Sequence, residues 1–293
     1  VQAEIGQFDY HTVKNWVFEP LTEAYSKGDV ISYARGIGVG MPGPGLDAEA
    51  LFLTESENLQ ALPMMAIVLN QGPMWTQDPR TGVEWTKTVH AEESVTMHRA
   101  LPAAGTLVAE YWVDEIYDKG AGKGALMYES RRLSLEDGTP VATVKIATFL
   151  RGNGGFGGSS RTAPRPPRVP ADRPADAIID LATPAEDNTA YQLGSEFIEA
   201  VKDELLVPGK PMLRGVCSFG LAGRAVLKLA CDNQPARLKH LGLRYIAPVF
   251  AEETLRTELW FLESGKAAFR VCSVERETVV MDNGTVQFEP AAG

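Results

Sequence analysis

Apolar and polar residues alternate in two separate sets of stretches along this 293-residue chain. The first set is Val108–Ile116, Ala125–Leu133 and Val141–Leu150. The second is Leu241–Ala247, Thr254–Leu262, Ala267–Val274 and Val286–Phe288. All are rich in β-branched and aromatic residues, which predicts strands. Ahead of each set the pattern turns helical. Between Arg214 and Ala230, the residues Val216, Phe219, Leu221, Ala225, Leu227 and Leu229 cover nearly every side of a helix, as in a buried one. Leu62–Leu69 is a shorter apolar stretch that predicts its counterpart.

The two sets read as one unit repeated. Thr106-Leu107-Val108-Ala109-Glu110-Tyr111-Trp112 and Thr254-Leu255-Arg256-Thr257-Glu258-Leu259-Trp260 share T-L-x-x-E-x-W at an offset of 148 positions. Asp137-Gly138-Thr139 and Asn283-Gly284-Thr285 recur at an offset of 146, and both dipeptides are hairpin-turn signals. A duplication follows. One helix wrapped by an antiparallel sheet, twice over, predicts an α+β double hot dog with its two sheets side by side. The stretch from Ser159 to Ala175 holds five Pro and four Arg, so neither helix nor central strand is expected there. It divides the chain into an N-terminal domain (1–158), a linker (159–175) and a C-terminal domain (176–293).

Composition narrows the function. Lys+Arg is 28 and Asp+Glu is 38, for a formal charge of −10. That argues against a nucleic-acid partner or an anionic membrane surface, because phosphates would go unneutralised. The three cysteines, Cys217, Cys231 and Cys272, form no C-x-x-C. A disulfide framework and a metal site are not expected, and a reducing, cytoplasmic setting fits. The longest apolar run, Ala61–Leu69, is too short to span a bilayer. The final Ala291-Ala292-Gly293 is not a peroxisomal address.

The candidate chemistry is sparse. Of His11, His90, His98 and His240, none sits in a metal-ligand spacing. His90 and His98 lie at an even spacing in one strand-like segment and should share a face. They read as ordinary strand positions more readily than as a catalytic pair. The run Arg151-Gly152-Asn153-Gly154-Gly155-Phe156-Gly157-Gly158 is not followed by Gly-Lys-Ser and a helix, so it is not a phosphate loop. Close backbone approach and positive φ explain it better.

That same run resembles the R-G-x-G-G-F-G-G signature of MaoC-like (R)-specific enoyl-CoA hydratases of the double-hot-dog type, as in the hydratase domains of peroxisomal multifunctional enzymes. Asp9–Trp16, Tyr33–Gly40, Leu62-Pro63, His90-Ala91-Glu92-Glu93 (often H-G-E-Q), Lys210–Gly220 and Ala247-Pro248-Val249 resemble further family segments in the same order. The resemblance implies a hydro-lyase that adds water to a trans-2-enoyl-CoA and gives the (3R)-hydroxyacyl-CoA. It implies no metal or redox cofactor, CoA arriving with the acyl-CoA substrate, and a homodimer. It also implies an N-terminal half that has given up its catalytic set and accommodates a bulky or long acyl group. Gly215 matches the glycine whose backbone N–H serves the oxyanion. Glu55 matches a glutamate important for activity. Tyr191 opens the catalytic segment, and Arg214 stands where the family has a histidine and could meet a CoA phosphate.

One departure is serious. The family's catalytic Asp and His would fall between Leu193 and about Glu196, and neither is present. No His occurs between His98 and His240. Either the protein carries a short segment there that this sequence omits, or the deletion is real. The intact flanks favour the former; the latter makes the protein an inactive acyl-CoA-binding one. A thioesterase is the third reading.

Overall fold

A computed structural model describes residues 7–44, 47–158, 168–185 and 210–290. The first half contributes helices α1 (Tyr10–Lys14) and α2 (Lys27–Gly36) and strands β1 (Leu21–Tyr25), β2 (Thr88–Met97), β3 (Gly105–Asp118), β4 (Ala125–Leu135) and β5 (Pro140–Leu150). The second contributes β6 (Ala177–Ala182), β7 (Met212–Leu213), helix α3 (Gly215–Cys231), β8 (Leu238–Tyr245), β9 (Val249–Phe250), β10 (Thr254–Glu263), β11 (Lys266–Ser273) and β12 (Thr278–Phe288). Ten strands form one antiparallel sheet, ordered β1-β3-β4-β5-β2-β8-β12-β11-β10-β6. Its two halves have corresponding strand orders about the β2–β8 seam.

The register at the seam carries the duplication. Ser94 pairs with Gly242, and these positions are 148 apart, the same offset as the T-L-x-x-E-x-W repeat. A local two-fold therefore passes between equivalent residues. A Cβ on Gly242 would lie 3.0 Å from Thr285 Oγ1 and 3.1 Å from the Ser94 Cβ, so the close approach favours glycine.

α3 is the helix the sheet wraps. Its apolar face extends almost all round, as the sequence predicts, and even Ser218 and Arg224 are buried. Two glycines let neighbours press against it. A Cβ at Gly220 would stand 2.5 Å from Ile37 Cγ2 of α2, and one at Gly223 would stand 2.3 Å from Met64 Cγ. The helix ends at Asp232, in the left-handed conformation.

The first half differs from expectation. Leu62–Leu69 gives no long helix, only a 3-10 turn over Pro63–Ile67. All eight side chains are buried, so the apolar signal is real. Asn70 takes φ 50°, and Gly72-Pro73 follow, so helical hydrogen bonding cannot continue. A second difference concerns Asn283-Gly284. Asp137-Gly138 does turn between β4 and β5, with Gly138 at φ 84°. Asn283-Gly284 instead lies inside β12 at a bulge. The Phe269 ring occupies the space a Cβ on Gly284 would need, its Cδ1 only 2.4 Å away. The hairpin turn itself falls between β11 and β12, near Val274–Glu277.

The glycine run closes the far end of β3–β4. The Asp118 carboxylate accepts N–H bonds from Gly120, Gly155 and Gly157, each at 2.8 Å. Burial opposes the Asp118 charge; these amides outweigh it and hold its carboxyl below the usual range. Gly155 and Gly157 have φ of 83° and 70°. Phe156 packs on Phe8 and Tyr10. The run is structural, as its spacing suggests. Of the Pro/Arg-rich stretch, 168–175 is described and contains no helix or strand.

Candidate active site at the head of the buried helix

The chain enters α3 through a short pinned segment. β7 pairs with β9, Leu213 opposite Val249, immediately before Arg214. Arg214 takes the N-cap position at φ −67°, ψ 154°, and its side chain makes no capping bond. The leading N–H groups of an α-helix have no partner within the helix and carry positive potential. Here they belong to a helix buried in an apolar core, and Gly215 is the first of them.

Three side chains gather at Gly215. A Cβ there would meet Tyr245 Cζ at 3.2 Å and His90 Nδ1 at 3.4 Å. The His90 and Tyr245 rings lie with centroids 4.8 Å apart. The Tyr245 hydroxyl lies 2.9 Å from the Gly215 carbonyl oxygen and 2.8 Å from Glu93 Oε2. Glu93 is 2% exposed, and its Oε2 stands 3.8 Å from His90 Nε2. Burial raises the Glu93 pKa against the opposing pull of His90, the Tyr245 hydroxyl and Arg131. Burial, then the Glu93 charge, pushes Tyr245 well above the ordinary phenol range.

β2 and β8 bring this group together. A bulge between His90 and Glu92 adds a residue to β2. It breaks the alternation that would have put His90 and His98 on one face. His98 bonds Thr143 at the exposed surface. His240 sits between the hydroxyls of Thr96 and Thr285, where burial lowers its pKa. His11 is exposed in α1. Of the four histidines, only His90 adjoins Gly215. A groove of about 150 Å³ follows the same seam, lined by Glu92, Tyr128, Lys145, His240 and Arg244 among others. Neither Gly215 nor Tyr245 lines it.

A second polar group braces the helix further along. Glu49, 1% exposed, receives Arg224 Nε at 2.6 Å and Lys228 Nζ at 2.6 Å, and accepts the Gly40 N–H at 3.1 Å. Burial opposes the Glu49 charge, and the two cations overcome it, leaving its carboxyl below the usual value. The sequence reading missed this lock. Its signal was Arg224 and Lys228, one helical turn apart in an otherwise apolar helix.

The residues singled out from sequence fare differently. Gly215 heads α3, with Arg214 as its half-exposed N-cap. Glu55 is exposed in the loop after the 3-10 turn Asp47–Phe52. Tyr191 and the expected Asp/His position between Leu193 and Glu196 lie outside the described residues. Glu93 and Tyr245 were not marked as site residues; the bulge and the pairing across the seam bring them to Gly215. Among the described residues no cluster of His, Cys, Asp or Glu could hold a metal ion. No helix among them is long and apolar enough to cross a membrane. Cys217, Cys231 and Cys272 form no disulfide with one another.

Known proteins resemble the chain over nearly its whole length. Residues 24–152 match the MFE-2 hydratase 2 N-terminal domain, and residues 207–283 match the MaoC like domain. The 3-hydroxyacyl-thioester dehydratase Y of Mycobacterium tuberculosis is 32% identical, over 93% of this chain and 96% of that one. The probable enoyl-CoA hydratase 2 of Dictyostelium discoideum is 28% identical, over 96% of this chain and 97% of the other. The crystal structure of a MaoC-like dehydratase from Phytophthora capsici superposes with a TM-score of 0.81 at 28% identity, covering 96% of this chain and 99% of that one. With its double-hot-dog sheet and its order of segments, the chain belongs to the MaoC-like enoyl-CoA hydratase family.

Proposed function

We propose that this protein is an (R)-specific enoyl-CoA hydratase, a hydro-lyase that reversibly adds water to a trans-2-enoyl-CoA to give the (3R)-hydroxyacyl-CoA. The observation that carries this reading is the N-terminus of α3 at Gly215, to which the Arg214 side chain gives no cap. When water attacks C3, negative charge builds on the thioester oxygen, and a fixed N–H in an apolar setting stabilises it more in the transition state than in the substrate. Gly215 is the residue we assign to this oxygen. The absence of a side chain lets Tyr245 and His90 pack close beside the amide.

The acid–base work belongs to the segment that opens at Tyr191. Trypsin should release Val169–Lys202 as one peptide, because Arg173 precedes Pro174. Its mass tells whether an additional segment with an Asp and a His lies between Leu193 and Glu196. We assign residues 1–158 to a non-catalytic, acyl-binding domain and 176–293 to the catalytic one. A bulky or long acyl group is what we assign to that first domain. Glu55 and Arg214 are substrate-binding candidates, a homodimer is expected, and a reducing, cytoplasmic setting fits three cysteines with no disulfide among them. No cofactor is needed, since the reaction moves a proton and a hydroxyl and no electrons.

The test is direct. Purified protein is mixed with a trans-2-enoyl-CoA, and the absorbance of the conjugated thioester is followed. A hydratase bleaches it and releases no thiol. Binding without bleaching supports an inactive acyl-CoA-binding protein, and free CoA thiol supports a thioesterase.

A further inference from the structure

We propose that Tyr245, with the buried Glu93 carboxyl behind it, is a positioning residue that clamps Gly215 so that the oxyanion amide stays aimed at the thioester; the proposal rests on the hydratase reading above. A glycine at the first position of a helix has more backbone freedom than any other residue. Arg214 supplies no side-chain cap to restrain it. The Tyr245 hydroxyl takes that part from the opposite strand, 2.9 Å from the Gly215 carbonyl oxygen. With Leu213 pinned by Val249 on one side, holding the Gly215 carbonyl on the other restrains the φ and ψ of Gly215 that set the direction of its N–H.

Counting protons shows why Glu93 matters. A tyrosine hydroxyl has one hydrogen to donate, yet Tyr245 faces two acceptors, the Gly215 carbonyl and Glu93 Oε2 at 2.8 Å. With Glu93 ionised the two compete. With Glu93 protonated, its own O–H donates to the tyrosine oxygen, and the tyrosine hydrogen is free for Gly215. The chain then runs one way, from Glu93 through Tyr245 to the carbonyl. Burial favours the protonated form. The groups that act on the pair come from every element around it: His90 on β2, Arg131 on β4, Tyr33 on α2 and Cys217 on α3. Among the described residues Glu93 Oε1 is buried without a hydrogen-bond partner, a position a neutral carboxyl tolerates better than a carboxylate.

The test is the pH dependence of kcat for the full-length protein and three variants. In the wild type kcat should fall on the alkaline side as Glu93 ionises and withdraws the Tyr245 hydrogen from Gly215. Tyr245→Phe should lower kcat about tenfold, the loss of roughly one hydrogen bond, with KM changed less than about twofold. Glu93→Ala should behave like it. Glu93→Gln offers an amide N–H to the tyrosine oxygen and cannot titrate, so it should rescue the loss seen with alanine and flatten the alkaline limb. Should Tyr245→Phe fold poorly, the contrast between the glutamine and alanine variants still decides. An unchanged kcat in Tyr245→Phe, or an alkaline limb that survives in Glu93→Gln, overturns the clamp and leaves the hydratase reading standing. A wild-type protein that binds enoyl-CoA but never hydrates it overturns the hydratase reading, and the clamp with it.

Discussion

The two halves of the sheet are built alike, and the space each encloses is filled differently. In the second half a 17-residue helix runs through the wrap and presents its N-terminus at Gly215. In the first half the corresponding chain makes a five-residue 3-10 turn and then breaks at Asn70 and Gly72-Pro73. Its inner face carries polar groups instead. Glu129 accepts Trp75 Nε1 at 2.7 Å, and Arg131 donates to the Ile67 carbonyl at 2.7 Å, satisfying the end of that short turn. Duplication thus preserved the sheet, which needs every strand to close its ladder. It kept the long helix in one copy only. The lesson is that strand order records ancestry, while the segment inside each wrap is free to diverge.

Four substitutions break or sharpen that contrast. Gly215→Pro has the largest expected effect. Proline is tolerated at the first helical position, and Arg214 already has the extended backbone that a residue before proline prefers. Tyr245 and His90 must shift by a few tenths of an ångström to admit the ring; the fold should survive while one N–H is deleted, and kcat should fall by about 10²–10³-fold. Steady-state hydration with circular dichroism as the folding control checks it. Phe219→Ala, inside the same helix and fully buried, should cost about 3–5 kcal/mol in urea unfolding through the cavity it leaves.

Glu49→Ala should cost about 3 kcal/mol, because Arg224 and Lys228 would remain buried without their counter-ion. Glu49's folded pKa lies below its ordinary 4.5. Its contribution is therefore complete above about pH 4.5 and lost as pH falls through the lower folded value. Acid unfolding of wild type and Glu49→Ala should diverge less as that window is crossed. Glu129→Gln is the smallest effect and has the opposite sign. Burial raises Glu129 from 4.5 to about 7, so the wild type loses stability as pH rises between those values and levels off above. The variant, which still accepts from Trp75, should be about 1 kcal/mol more stable at pH 8 and little changed at pH 5, a figure kept small by partial exposure. Thermal denaturation at the two pH values reads it out.

Much of the architecture was legible in the chain. The strands of the two repeats and the buried helix follow from period and residue type, and the 148-residue offset anticipates the pairing of Ser94 with Gly242. Three features were hidden for physical reasons. Eight apolar residues at Leu62–Leu69 cannot distinguish a helix from a buried 3-10 turn, since both bury the same side chains. Asn283-Gly284 carries a turn composition, but the glycine there answers the Phe269 ring across the strand. The bulge after His90 leaves no sign in the alternation, so the meeting of His90, Glu93, Tyr245 and Gly215 is visible only once the strands are paired. Gly215 was identified by resemblance and by the expectation of a free helix N-terminus. Its neighbours on β2 and β8 were not.

The central claim is that hydration depends on the amide at the head of α3. The most direct measurement compares wild-type protein and Gly215→Pro on a trans-2-enoyl-CoA, following loss of the conjugated thioester and the configuration of the product. The account predicts bleaching and a (3R)-hydroxyacyl-CoA from the wild type, and a folded proline variant that still binds the thioester but turns it over about 10²–10³-fold more slowly. Equal rates from the two folded proteins would contradict it.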